Sequence, residues 1–550
     1  MLKSKQKSKK KSQTNKEAQV PSVSKKELAA QQKKVERERK AMIQSFLTYG
    51  GVGAAIGLVL FFVADVKLAI AGGGGVAVLL VSCKYPRLAI WGFLIYMPFS
   101  GTITYWIGGG NALFQLAKDG FYIPGAIALY REIKAKKLPF LIPPQLGLAL
   151  NILLLVCLMT LLFVNGAQQF GPKPDGKPLP MGLLGLKVFL GYIPLIGCTY
   201  YTIRNKKEFL WLTRTHVILA VICCGLGVVQ YWFLSSGRCP GTRGYVGADL
   251  FKATLEAKCL VGGSLVFSPE VNMIRLPGTF VAPWQWAWFL IANLFFTFAS
   301  AFNDPSFLWK ILSFLGMALV FVNSVISGQR IALALVPVMT VILLVATGQI
   351  TNLKRFIPIA VGLSILGFGA MALFPDLITE RIDSFVGRWN ASPPTDFIAH
   401  QAEFTSKGQA GFFGHGLGRA TNSARMFGEI KLIETYYPKL LYEIGPVGVI
   451  GFLIFVTTLS YLGFKTYRSV KDKNLRGYGA SYWVFVLFIS YNTYYYPLDV
   501  DPVAVYYWVV AGLLFKLPDL DREVAQEKLE AEELGLLDEK GSSKKKQKKK

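Results

Sequence analysis

The sequence predicts an all-α fold: a polytopic membrane bundle of about fourteen transmembrane helices, with a long external loop carrying short helices. Three observations predict it. The chain of 550 residues is 52% hydrophobic and only 17% charged, with a mean hydropathy of +0.40, whereas about 25% of an ordinary soluble domain is charged. Apolar stretches of roughly 15 to 23 residues recur along it, the length that crosses a hydrocarbon core of about 30 Å. The short loops between them alternate between basic and nearly uncharged, as the positive-inside rule requires of successive loops.

The elements follow in order. Residues 1–44 form a basic tail, and residues 1–40 alone carry +10 of the chain's formal +27. The run Lys3-Ser-Lys-Gln-Lys-Ser-Lys-Lys-Lys11 contains no aromatic side chain to stack on bases. Its charge therefore points to anionic lipid, at about 1 kcal/mol per cation near the surface, and not to nucleic acid. Residues 24–40 read as a solvated or interfacial helix begun at a Ser24 cap. The first apolar run starts near Ser45, too late for a cleavable signal peptide. Residues 45–515 form the transmembrane domain, with spans centred near residues 54, 74, 98, 121, 156, 193, 225, 293, 317, 339, 365, 452, 488 and 508. Residues 516–550 form a second charged tail ending in Lys544-Lys-Lys-Gln-Lys-Lys-Lys550.

Both tails belong on the cytoplasmic side of the membrane, which requires an even number of spans. The loops expected beside them are basic: Lys84 to Arg87, Arg131 to Lys137, Arg204 to Lys207, Lys354-Arg355 and Lys465 to Arg476. Asn303 to Ser306, also expected there, carries no such mark. The loops expected outside carry little or no positive charge: Gly108 to Gly110, Asn165 to Pro180 and Pro497 to Pro502. Two long segments, about 234–283 and 374–439, fall outside as well, and long loops obey the charge rule poorly. Cys239 and Cys259 share the first of them, where either a disulfide or two free thiols fits. No Cys or His spacing marks a metal site.

Ionisable groups at membrane depth or at its rim are costly and mark function by default. The prominent ones fall on the external side. Lys118 and Asp119 lie two turns into the fourth span, Arg275 leads into the eighth, and Arg330 follows the turn Ser327-Gly328-Gln329. The segment 374–439 adds Arg381, Arg388, His400, His415, Arg419, Arg425 and Glu434. Guanidinium groups around one external cavity would receive a diphosphate, because arginine offers a planar fork of donors that stays charged. Simpler roles stay open: Lys118 and Asp119 as an ion pair pinning helices, Arg330 snorkelling to lipid phosphate, the loop arginines solvated, and His400 and His415 as loop hydrogen-bonders. His216 reads as structural. Trp284, Trp286 and Trp288, at the start of the eighth span, suit the membrane interface.

Three stretches together resemble the O-antigen ligase and Wzy polymerase family of membrane glycosyltransferases. Arg275-Leu-Pro-Gly278-Thr-Phe280-Val-Ala-Pro283 is similar to the family's Arg-x-x-Gly-Thr-Phe-x-x-Pro approach to a span. Ser327-Gly328-Gln329-Arg330-Ile-Ala-Leu-Ala resembles its Ser-x-Ser-Arg-Gly-Ala-Leu-Leu turn, with Arg330 in the place of the essential arginine. Glu434 to Gly448 resembles the ligase pattern of His, a small polar residue, nine residues, Gly, two residues, Gly. Thr435, Gly445 and Gly448 keep that register, but Glu434 stands where ligases have His. Many polymerase-like members carry Glu there. The basic tails and the length further resemble cyanobacterial members linked to exported hormogonium polysaccharide.

The resemblance implies a GT-C-type helical fold with neither metal nor cofactor. It implies a donor glycan on a polyprenyl diphosphate and a second glycan or lipid as acceptor, with polysaccharide export machinery as a partner. By carry-over, Arg330 and Glu434 are the catalytic pair. Arg275, Arg388, Lys118, Asp119, His400, His415 and Arg419 are the substrate-binding candidates. The segment 374–439 would be a lid that Gly408, Gly411, Gly414, Gly416 and Gly418 allow to move. Two other classes compete: a transporter of polysaccharide or of a small anion such as bicarbonate, and a non-catalytic component of a polysaccharide export complex. No internal repeat favours a transporter.

Overall fold

A computed structural model describes residues 25–110, 113–172, 174–239, 241–242, 258–262, 266–268, 273–350, 372 and 375–533. Its helices are α1 (Lys25–Val63), α2 (Val66–Lys84), α3 (Pro86–Ile107), α4 (Leu113–Ala135), α5 (Leu146–Gln169), α6 (Pro178–Leu190), α7 (Leu195–Thr202) and α8 (Lys206–Ser235). A two-stranded antiparallel ribbon follows, β1 (Val266–Ser268) and β2 (Met273–Arg275), with Val266 opposite Arg275. Then come α9 (Pro283–Asn303), α10 (Phe307–Ile326), α11 (Arg330–Ala346), α12 (Pro375–Ala391), α13 (Pro394–Lys407), α14 (Tyr436–Ser469), α15 (Lys473–Tyr491) and α16 (Val503–Glu533). The chain is thus an all-α, multi-pass membrane protein. The basic helix expected over 24–40 runs without a break into the first span, and the second tail is helical as far as Glu533.

The span count differs from the expected fourteen. Among the described residues nine helices are long and apolar enough to cross a membrane, and α6 with α7, bent by 40°, make a tenth if taken together. The shortfall has local causes. In α4 the pair Lys118-Asp119 interrupts the apolar run, α11 has only 17 residues, and the first half of α15 is polar. The span expected near residue 365 lies outside the described residues, as do the lysine runs of both tails.

α9 is the centre of the bundle. It packs against α8, α10, α11, α15 and α16, and 94% of its apolar window is buried by protein. For α1 and α2 the shares are 6% and 17%. Between helices already surrounded by apolar tails, tight packing and polar contacts hold the bundle, so this difference separates a fixed post from a peripheral hairpin. It also corrects the tryptophan expectation. Trp286 and Trp288 are fully buried and only Trp284 is exposed, because the surrounding helices enclose the start of α9.

The loops separate cleanly between the two ends. At one end Arg87 meets Glu208 at 2.7 Å, Arg214 holds Asp304 with two bonds of 2.8 Å, and Asp521 accepts the backbone N–H groups of Lys471 and Asp472. Glu523 accepts the N–H of Lys206 at 3.0 Å. At the other end lie 98–110, 165–180, 274–283, 327–330, 375–439 and 492–502. Lys354-Arg355, also expected at the basic end, lies outside the described residues.

Candidate functional site

The non-basic end is built from loops that only non-local contacts can assemble. The β2 strand lies on the turn after α10: Leu276 donates its N–H to Ser327 at 2.9 Å, and Gly328 sits with φ +66° against the Ile274 carbonyl. A Cβ at 328 would stand 2.3 Å from that oxygen, so the turn needs glycine. Two of the sequence stretches singled out above, 275–283 and 327–330, are therefore one unit. Arg275 is half-buried at the end of β2. Arg381 of α12 backs the turn; burial lowers its pKa from the ordinary guanidinium value, against the Glu380 and Tyr231 interactions that raise it.

Arg330, at the start of α11, donates from Nε and one Nη to Ser384 Oγ at 3.2 and 3.1 Å. It lines a cavity of about 240 Å³ whose other walls include Leu335, Phe385, Trp389, Pro394 and Tyr494. The rest of the lining is mostly aromatic and aliphatic, with Ser392 and Asn492 as further polar groups.

Glu434 reaches the same neighbourhood through the backbone. Thr435 bridges Tyr494, Tyr436 donates to the Thr493 carbonyl at 2.6 Å, and Tyr495 donates to the Glu434 carbonyl at 3.2 Å. Gln401 of α13 accepts the Glu434 N–H at 3.2 Å. The carboxyl is half-exposed and lies near Tyr496, whose hydroxyl is pushed up to about 12, first by burial and then by Glu434 and Tyr495. One segment, 492–496, therefore joins the Arg330 cavity to Glu434.

A second, polar cavity of about 170 Å³ lies along the same segment. Its walls include Gln285, Thr421, Lys439, Tyr496, Asp499 and Asp501. Lys439 is paired with Asp499, while Asp501 holds Lys118 at 2.6 Å. Asp119 pairs instead with Lys187 of α6 at 2.9 Å. Lys118 and Asp119 thus serve two different partners and tie α4 to its neighbours. Glu443, one turn beyond Lys439 and 2% exposed, accepts the N–H of Ala420 at 2.7 Å and the Thr421 hydroxyl at 2.9 Å.

Arg419, His415 and His400 line neither cavity. Arg419 donates to Gln168 Oε1 at 2.8 and 3.2 Å and to Asp175 at 2.8 Å, which ties the loop to the 165–180 segment. His415 stacks on Tyr442 with ring centroids 4.0 Å apart, and its pKa is lowered, chiefly by burial. His400 is exposed on α13. Arg388 lies on α12, and its side chain is outside the described residues.

Three of the five loop glycines sit at close approaches, while Gly411 meets nothing within 4 Å. A Cβ on Gly414, Gly416 or Gly418 would meet Tyr442, Asn165 or Met181 at 2.6, 3.0 and 2.2 Å. They permit close packing, and 408–435 is a tightly docked cap in this structure. Cys239 and Cys259 are joined by a disulfide, which settles the alternative left open by the sequence. Lys439, Glu443, Asp499 and Asp501 were not singled out above. The signal for the first two was an i, i+4 pair of ionisable residues at the start of an apolar helix. Among the described residues no three His, Cys, Asp or Glu side chains are grouped as metal ligands.

No protein-family model matches this chain, and no curated protein matches it significantly.

Proposed function

We propose that this protein is a membrane glycosyltransferase, a polymerase or ligase that moves a glycan from a polyprenyl-diphosphate donor to an acceptor at the non-cytoplasmic face, in exopolysaccharide biosynthesis. The observation that carries it is that one chain segment, 492–501, lines the Arg330 cavity, pairs with the Glu434 backbone and lines a second, polar cavity. The cavity with Arg330 pairs a guanidinium with aromatic and aliphatic walls, which suits a phosphorylated isoprenoid. The polar cavity offers carboxylates, amides and hydroxyls, which suits a sugar.

In the reaction, Glu434 takes the proton of the acceptor hydroxyl as its oxygen bonds to the anomeric carbon. The bond from that carbon to the diphosphate oxygen breaks, and polyprenyl diphosphate leaves with the electron pair. Arg330 stabilises the charge that develops on it. Buried Glu443 holds the Ala420 N–H and the Thr421 hydroxyl, and buried Lys439 holds Asp499, so the polar cavity keeps its shape. Both tails in the cytoplasm of the inner membrane fit the shared location of the N-terminal basic helix and α16 at the basic end.

The test is deletion of the gene followed by complementation with wild type, Arg330→Ala and Glu434→Ala, with surface glycan and lipid-linked precursors both analysed. Missing polymer with accumulated precursor is the expected result for both variants. Wild-type polymer in both would overturn the residue assignment, and missing polymer without precursor would point to transport or to an earlier step.

A further inference from the structure

At the basic end, far from the site above, a cleft of about 1380 Å³ separates α1 from α3 and α8. Its lining carries five cations: Arg39 of α1, Lys84 at the end of α2, Arg87 in the first turn of α3, Arg204 just before α8 and Lys207 in its first turn. Three acids lie with them. Glu208 is occupied by Arg87 at 2.7 Å and by the Arg204 N–H at 2.8 Å, and Glu132 by Lys136 at 2.6 Å, which leaves Glu38 facing the excess of positive charge. Arg87 has a buried Nε with no hydrogen-bond partner.

The three walls share one gradient. Seven residues beyond Arg39 comes Phe46, eight beyond Arg87 comes Ile95, and seven beyond Arg204 comes Trp211, each about 10 Å deeper along its helix. All three side chains line the cleft, and all three are exposed. Trp91 and Trp211 form one wall edge to face, with centroids 4.2 Å apart. Cations at the rim and uncovered apolar side chains two turns deeper, repeated on three helices that run the same way, match one chemistry: a phosphate headgroup with acyl chains below it.

We infer that this cleft is a binding site for one anionic phospholipid, which fills the gap between the α1–α2 hairpin and the bundle. A neutral headgroup would leave the cationic rim unmatched, and a free phosphate would leave the apolar depth empty. The site is distinct from non-specific attraction of the lysine-rich tails, which salt screens.

The full chain, reconstituted with phosphatidylglycerol or with phosphatidylcholine and washed in high salt, is examined by native mass spectrometry for retained lipid. Arg204→Glu with Lys207→Glu is compared with Arg131→Glu with Lys137→Glu, four exposed positions at the same end. One phosphatidylglycerol is expected on wild type and on the second pair, with retention more than about tenfold lower on the first. Equal retention by both pairs, equal retention of phosphatidylcholine, or no retained lipid on wild type would each overturn the site.

Discussion

Arg330 and Arg419 sit at the same end of the bundle, in regions that treat the same side chain differently. Arg419 gives its donors to Gln168 and Asp175, protein groups that hold a glycine-rich cap in place. Arg330 touches a serine hydroxyl and lines a cavity walled by aromatic and aliphatic groups. A guanidinium committed to an amide and a carboxylate is part of the scaffold. One that lines a cavity is within reach of a ligand. Under the proposed function, the comparison separates an arginine that holds the cap from one that would serve the donor.

The largest effect expected is on activity. Arg330→Ala should lower glycan transfer by about 100-fold or more, as does loss of one donor to developing charge in a preorganised site, while protein abundance and thermal unfolding in detergent stay near wild type. Arg330→Lys should recover only part, since the ammonium lacks the fork. A folded Arg330→Ala protein with full activity would erase the distinction.

The next effect is on the cap. Gly418→Ala puts a side chain at φ +84° and 2.2 Å from the Met181 carbonyl, which should destabilise the cap by about 3 kcal/mol and expose 408–435 to limited proteolysis. Arg419→Ala should follow at about 2 kcal/mol, the scale of lost hydrogen bonds to a charged group, with activity much less reduced than in Arg330→Ala. Activity lost in Arg419→Ala without any gain in protease sensitivity would move Arg419 into the serving class.

The smallest effect is a pH dependence at His415. Burial, aided by Arg419, holds its pKa below the ordinary 6.5, against the Tyr442 carbonyl that raises it. The folded cap therefore prefers the neutral ring. Its contribution is complete above about pH 6.5 and declines as the pH falls from there toward the lowered value. Limited proteolysis should show the cap slightly less protected at the acid end of that window, and His415→Gln should flatten the difference.

Much of this was legible in the sequence, and the losses have physical reasons. The all-α membrane class follows from apolar length, a local property. The stretches 275–283 and 327–330 could be picked out, but not that one hydrogen bond, Leu276 to Ser327, makes them one unit. The role of Arg419 depends on Gln168, 251 positions away. The glycines of 408–418 suggested motion because glycine serves mobility and close approach alike. The burial of Trp286 and Trp288 depended on α9 being central, which no single span reveals.

Binding of a polyprenyl diphosphate to the purified full-length protein, compared among wild type, Arg330→Ala and Arg419→Ala, tests the division most directly. Affinity is predicted to fall by about tenfold or more in Arg330→Ala and to stay near wild type in Arg419→Ala. An Arg330→Ala protein that binds the lipid as wild type does would contradict the account.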